Sequence, residues 1–229
     1  EAMAFPKNRE ELADLLEKSC LWDQKPVILG AGTNVLAPDE GMKGLIICLK
    51  DCLDGMERVD DTSIRVMAGV TMARAAVFAA SQGLSGLEFA HGIPGTVGGG
   101  VYMNAGAYGG EMSGICRSVT LMDGAGQLRE VNARELEFSY RHSKLQESGE
   151  IVISAVLQLQ PAAPEEIKQK MRELQAKRLA SQPLDYPSAG SAFKRPAGGY
   201  AAAVAGPAMA ASIGYALHAP QLVLFSLIA

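Results

Sequence analysis

Two glycine-rich segments are where this sequence departs furthest from ordinary packing and where chemistry could sit. Residues 91–110, HGIPGTVGGGVYMNAGAYGG, are the longer of the two. Each glycine inside a helix costs about 1 kcal/mol relative to alanine, so the run predicts an ordered loop and not a regular helix. It is no flexible linker either, because it is poor in polar residues and carries Ile93, Val97, Val101, Met103 and Tyr108 as packing anchors. Glycine admits positive φ and has no Cβ, so backbone N–H groups can converge on an anion. The run reads either as a nest for the phosphates or ring of a large cofactor, or as a tight corner between domains. The second segment, residues 30–36, GAGTNVL, directly follows an apolar run at 26–29. A strand feeding a glycine turn also begins a dinucleotide fingerprint, but GxGxxG spacing is absent here and no Walker lysine follows.

The remaining polar candidates are weaker on local sequence alone. Ser191 reads as a cap or turn residue and Arg141 as an ion-pair partner. Tyr140 either packs or shapes a site beside Arg141. Arg178 lies on the apolar side of its helix, from which it can snorkel or reach a ligand. Lys194 and Arg195 are equally a diphosphate contact and solvent-exposed charge. His91 reads as loop packing.

The elements that must position these residues show in the patterning. Asn8 with Glu11 is a capping-box-like start, and Leu12, Leu15, Leu16 and Cys20 form a stripe at helical spacing, which predicts a helix over 8–20. Strands are expected over 26–29, 44–49 and 63–67. Thr71 caps a helix running to about Gln82, with Ala75, Ala76 and Ala79 as a close-packing face. Residues 119–122 and 127–131 predict a hairpin around Asp123-Gly124-Ala125-Gly126. Asn132 with Glu135 caps a short helical turn, Tyr140-Arg141 falls on an irregular piece, and 151–159 is a strand with partial alternation. Pro161 and Pro164 mark a domain boundary, followed by a helix over 164–180 with Ile167, Met171, Leu174 and Arg178 on one face.

Bulk properties narrow the classes. The 229 residues are 48% hydrophobic and 20% charged, enough for one large domain or two small ones with a real core. A net charge of −4 argues against a nucleic-acid binder. Cys20, Cys48, Cys52 and Cys116 have no zinc-like spacing and no CxxC, so they read as reduced packing thiols of a cytosolic protein, with no metal site. The opening EAMAFPKNREEL carries charge and has no signal-peptide core; it looks like the end of a strand, so the native start is expected further upstream. From Pro196 to Ala229 there is no Asp, Glu, Lys or Arg. That length would permit a membrane span, but Gly206-Pro207, Gly214 and Pro220 interrupt it, and no span is expected.

Five segments taken together are far more specific than any one. ILGAGTNVL, GIPGTVGG, NAGAYGGE, SYRHS and PSAGSAFKRP, in this order, resemble the UDP-N-acetylenolpyruvoylglucosamine reductase family over about residues 1–203. The resemblance implies an α+β fold: a FAD-binding domain of the vanillyl-alcohol-oxidase (PCMH) type over 1–160, built as two subdomains, then a truncated α+β substrate-binding domain over 161–229. It implies a cytoplasmic flavoprotein of peptidoglycan precursor synthesis, serving cell wall biogenesis, cell shape and cell division. FAD is reduced by NADPH and passes hydride to the enolpyruvyl group of a UDP-sugar. Gly30, Ala31, Gly32, Thr33, Asn34, Val35 and Leu36 then bind the FAD pyrophosphate. Gly92, Ile93, Pro94, Gly95, Thr96, Gly98 and Gly99, with Asn104, Gly106, Ala107 and Tyr108, close over the flavin, and Val152 is a further cofactor contact. Arg141 and Ser191 match the catalytic arginine and the proton donor, while Tyr140, Arg178, Lys194 and Arg195 are placed at the substrate. These roles make chemical sense: an enolate conjugated with a carboxylate needs fixed positive charge, which Arg supplies, and its carbon then needs a positioned O–H donor.

The family's later Glu, partner of that serine, has no counterpart among residues 204–229, where the match has ended. Activity is therefore expected to suffer more than fold. Two alternatives stand beside the reductase: a non-catalytic flavin-binding remnant, and another FAD oxidoreductase of the same domain type.

Overall fold

The computed structural model describes residues 2–20, 25–181 and Lys194. The first unit is β1 (Ala2–Ala4), α1 (Arg9–Ser19), β2 (Val27–Leu29) and β3 (Leu45–Cys48). Its three strands form a parallel sheet in the order β1-β3-β2. Asn8 caps α1 by accepting the Glu11 N–H at 2.8 Å, and Leu12 and Leu16 are the residues of the predicted stripe that bury fully.

The second unit begins with β4 (Met56–Asp60), β5 (Ser63–Met67), α2 (Met72–Ser81) and β6 (Leu84–Ser85). A 3-10 turn, Glu88–Gly92, leads to α3 (Val97–Tyr102), then β7 (Gly106–Ala107) and β8 (Gly110–Glu111). Next come β9 (Cys116–Met122), β10 (Leu128–Asn132), α4 (Leu145–Ser148), β11 (Ile151–Gln158), β12 (Gln160–Pro161) and α5 (Pro164–Ser181). The main sheet is antiparallel with the order β10-β9-β11-β5-β4. The architecture is the expected α+β arrangement, with no Rossmann sheet among the described residues.

β11 lies at the centre of this sheet and is buried on both faces from Ile151 to Leu157, with α3 packed against it and β5. That explains its weak alternation, because neither face meets water. The predicted hairpin turn is closed by Asp123, whose carboxylate accepts the N–H groups of Ala125 and Gln127, both at 2.9 Å. Asn132 and Glu135 form a complete capping box. On α5 Ile167 is buried and Met171, Leu174 and Arg178 are half-buried, as the face predicted.

Besides the short β6, β7, β8, α4 and β12, which the sequence reading did not contain, two elements differ from it. The glycine run contains a helix after all: α3 has the sequence VGGGVY. Thr96 caps it through a 3.4 Å bond from the Gly99 N–H, and its glycines allow close packing. A Cβ on Gly98 would stand 2.9 Å from the Ala68 Cβ, and one on Gly100 2.8 Å from the Met72 sulfur. Burial of Val97, Gly100 and Val101 offsets the propensity cost of about 1 kcal/mol per glycine. The other is β4, an edge strand exposed along most of its length, whose MERVD shows no alternation to read.

Candidate functional site

A cavity of about 410 Å³ opens between the small parallel sheet and the α3–β11 layer. Such a volume falls within the roughly 300–1,000 Å³ of typical cofactor and ligand sites. One wall is the turn leaving β2, residues 30–35; the facing wall is residues 93–96 with Gly98, Gly99 and Gly100 of α3. Ala68, Met72, Arg141, Gln146 and the start of β11, including Val152, complete it.

The glycine wall is held by backbone bonds to the β5–α2 connection. Met72 N–H donates to the Gly95 carbonyl at 3.0 Å, Val97 N–H to Val70 at 2.8 Å, and Gly98 N–H to Ala68 at 2.9 Å. The two glycine segments also touch each other: Thr33 Oγ1 donates to the Pro94 carbonyl at 3.2 Å. Gly30 lies so close to Thr96 that a Cβ there would stand 2.5 Å from its hydroxyl. Gly95 has φ +128° and Gly32 φ +68°, conformations that side chains disfavour.

Arg141 supplies the only positive side chain in the lining among the described residues. It is 5% exposed and sits at φ +56° in the left-handed region. Its guanidinium donates to the Asn104 carbonyl at 3.2 Å and the Gly106 carbonyl at 2.6 Å, and lies 5.2 Å from the Tyr140 ring centre. Asn104 is itself buried and fixed, donating to the Ser139 carbonyl and accepting the Ser113 N–H, each at 2.9 Å. Asn104 and Gly106 thus act as the seat of Arg141. Glu150, the only carboxylate in the lining among the described residues, is paired with Arg129 through bonds of 2.6 and 2.7 Å. Those bonds hold its carboxyl below the ordinary carboxylate value. Burial raises the Tyr102 phenol above its usual value, so the group is a neutral wall.

Among the described residues, the others singled out from the sequence fall outside the lining. Leu36 is 58% exposed, and Tyr108 and Tyr140 also reach solvent. Ala107 is buried beside Gly106 in β7. Gly92 immediately precedes the lining segment, and its carbonyl accepts from the Arg178 guanidinium. Lys194 is exposed. Ser191 and Arg195 lie outside the described residues, as does the uncharged tail; among the described residues no helix is long and apolar enough to cross a membrane.

Comparison with known proteins agrees with this geometry. Residues 1–132 match the FAD binding domain family. UDP-N-acetylenolpyruvoylglucosamine reductases of Lactobacillus helveticus and Streptococcus thermophilus are 44% and 41% identical to the chain over 198 and 199 residues. These alignments cover 86% and 87% of this chain and 66% and 65% of the relatives, so the chain spans just under two thirds of their length. The crystal structure of UDP-N-acetylenolpyruvylglucosamine reductase from Thermus caldophilus superposes with a TM-score of 0.71 at 33% identity, over 88% of this chain and 71% of that one. This chain belongs to the UDP-N-acetylenolpyruvoylglucosamine reductase family.

The FAD that the matched domain binds fits the residues present. Asn34 Oδ1 is buried on the glycine turn with no hydrogen-bond partner among the described residues, which is costly unless a ligand donates to it. The turn and the facing segment each carry a cavity-lining glycine at positive φ, Gly32 and Gly95, the backbone geometry from which anion-binding nests are built. The two walls are legible in the sequence as glycine motifs, whereas Gln146, Met72 and Leu145 carry no motif and enter the lining only through folding.

Proposed function

We propose that this chain carries out NADPH-dependent, FAD-mediated reduction of the enolpyruvyl group of UDP-N-acetylglucosamine enolpyruvate to give UDP-N-acetylmuramate. The setting is cytoplasmic peptidoglycan precursor synthesis, on which cell shape and division depend. The carrying observation is Arg141: a buried, always-charged side chain in the wall of the cavity whose other walls are the glycine segments. When bound, FAD supplies the hydride chemistry that no side chain can.

The chain's own residues have distinct tasks. N–H groups of the turn at 30–34 hold the diphosphate, and Asn34 Oδ1 accepts a donor from the cofactor. Hydride addition at the methylene carbon pushes negative charge into an enolate conjugated with the carboxylate. The Arg141 charge stabilises it, fixed in place by Asn104 and Gly106, so little reorganisation is needed at that moment. The Ser191 hydroxyl then protonates the adjacent carbon. Tyr140, Lys194 and Arg195 serve the substrate side, and Arg178 braces the flavin segment at Gly92. Residues 1–160 form the FAD-binding domain and 161–229 part of the substrate domain, entered through α5.

Visible absorption of the purified protein tests this. Bound FAD colours it yellow, anaerobic NADPH bleaches it, and one equivalent of the enolpyruvyl nucleotide restores the colour. A protein that takes up no FAD overturns the reading. One that bleaches but is not reoxidised by the nucleotide is a flavin module without this reductase activity, and oxygen consumption with small alcohols then tests an oxidase.

A further inference from the structure

The cavity wall holds a polar side chain to which the proposed reaction gives no task. Gln146 stands on α4, five residues beyond Arg141, and lines the cavity. Its Nε2 donates to the Arg141 carbonyl at 3.3 Å and to the Tyr102 carbonyl at 3.2 Å, and lies 3.6 Å from the Met103 sulfur. Only the NH2 edge of an amide can face two carbonyls, so the orientation is fixed and both hydrogens are committed. Tyr102 closes α3, and its carbonyl is one of those a helix end leaves unsatisfied. Ser143 Oγ donates to the same carbonyl at 2.7 Å.

Arg141 is thus held at both ends. The carbonyls of Asn104 and Gly106 accept from its guanidinium, and the Gln146 amide donates to its backbone carbonyl. Its φ of +56° is one that a residue with a side chain keeps only when its surroundings enforce it. The turn around it is closed by paired backbone bonds between Ser139 and His142 at 3.1 and 3.2 Å, and the Gln146 amide is the side-chain contact that ties this turn to the end of α3.

We propose that Gln146 is a positioning residue for Arg141: its side-chain amide locks the left-handed backbone of Arg141 to the end of α3 and so fixes the guanidinium in the cavity wall. The proposal rests on the reading that Arg141 serves the reduction.

Arginine side-chain NMR on the 15N-labelled, FAD-loaded chain tests it directly. The Arg141 guanidinium signal, identified by its loss in Arg141→Lys, is expected to exchange slowly in the parent protein. In Gln146→Met, of similar length but without donors, that exchange is expected to be at least tenfold faster at saturating FAD. Ser143→Ala removes the other donor to Tyr102 and is expected to leave the exchange unchanged. Equal exchange in the parent and Gln146→Met overturns the proposal, as does equal acceleration by Ser143→Ala, which would mean general loosening. Gln146→Asn withdraws the amide with a smaller volume change and is read in the same way should the Met variant not fold.

Kinetics separate this inference from the function it rests on. In Gln146→Met, reoxidation by the enolpyruvyl nucleotide should slow at least tenfold, and by a larger factor than flavin bleaching by NADPH. The double variant with Arg141→Ala should be no slower than Arg141→Ala alone. If Arg141→Ala itself has no effect on reoxidation, the functional reading of Arg141 fails, and the NMR still decides whether Gln146 positions it. If Arg141→Ala slows reoxidation and Gln146→Met does not, the positioning proposal fails by itself.

Discussion

Alanine at Gly98 and alanine at Gly99 give two proteins of identical composition that the structure separates in stability. Both positions lie inside α3, so both variants gain the same propensity term, about 1 kcal/mol. That term cancels in the comparison. At Gly98 the new methyl would stand 2.9 Å from the Ala68 Cβ and 3.2 Å from the Ala68 carbonyl oxygen. That oxygen already receives the Gly98 N–H at 2.9 Å, so two backbones would have to separate. Overpacking of this kind costs about 1–3 kcal/mol. At Gly99 the nearest atom to the methyl is Thr96 Oγ1 at 3.7 Å, an ordinary contact. Gly98→Ala is therefore expected to be less stable than Gly99→Ala by about 1–3 kcal/mol. At about 2–4 °C per kcal/mol for a chain of this size, melting temperatures differ by about 2–12 °C. Urea unfolding of the flavin-free proteins measures it, with equal m values as the control for two-state behaviour. Coincident midpoints, or a more stable Gly98→Ala, would refute the argument that close approach to Ala68 is why this helix is built from glycine.

Other outcomes follow from the site and its supports. Arg141→Lys keeps the charge but loses the fork, so reoxidation by the enolpyruvyl nucleotide should slow by about 10²–10³, as for loss of one preorganised donor, with bleaching by NADPH little changed; stopped-flow absorbance reads both. Glu88, 3% exposed, accepts from Ser85 Oγ at 2.5 Å and from the Gly86 N–H at 2.9 Å, and pairs with Lys170 of α5 at 3.4 Å. Burial raises its pKa, but these partners outweigh it and hold the group below the ordinary 4.5. The unfolded chain thus binds the proton more tightly, and this contribution to stability is full above about pH 4.5 and lost as pH falls through the lower folded value. Acid unfolding of Glu88→Gln should lose that dependence, and Glu88→Ala should cost about 1–3 kcal/mol at neutral pH by stranding buried donors. Burial pushes the Cys116 thiol up to about 12 and raises Cys52 as well, whereas Cys20 is exposed. A thiol reagent at pH 8 should label exposed Cys20 within minutes, half-buried Cys48 more slowly, and Cys52 and Cys116 only on unfolding, with the fastest phase absent in Cys20→Ser.

Interactions between near neighbours in the chain are legible from the amino-acid order alone. Asn8, Thr71 and Asn132 cap the elements that follow them, and Asp123 closes its hairpin, because each interaction spans only two to four residues. The two glycine walls of the cavity were legible for the same reason, since glycine density marks backbone that must bend or come close. The tertiary structure alone decided the rest. The VGGGVY segment is helical because Ala68 and Met72, about thirty residues earlier in the chain, offer a surface that only glycines can approach. Strand β4 exists because β5 pairs with it, its own side chains giving no pattern. Arg141 reads as a surface ion pair until Asn104 and Gly106 fold over it, and Gln146 has no meaning until the end of α3 arrives beside it. Caps and turns are local free energies that a sequence states outright, whereas a seat for a buried charge is assembled from carbonyls that belong to any residue and carry no sequence mark.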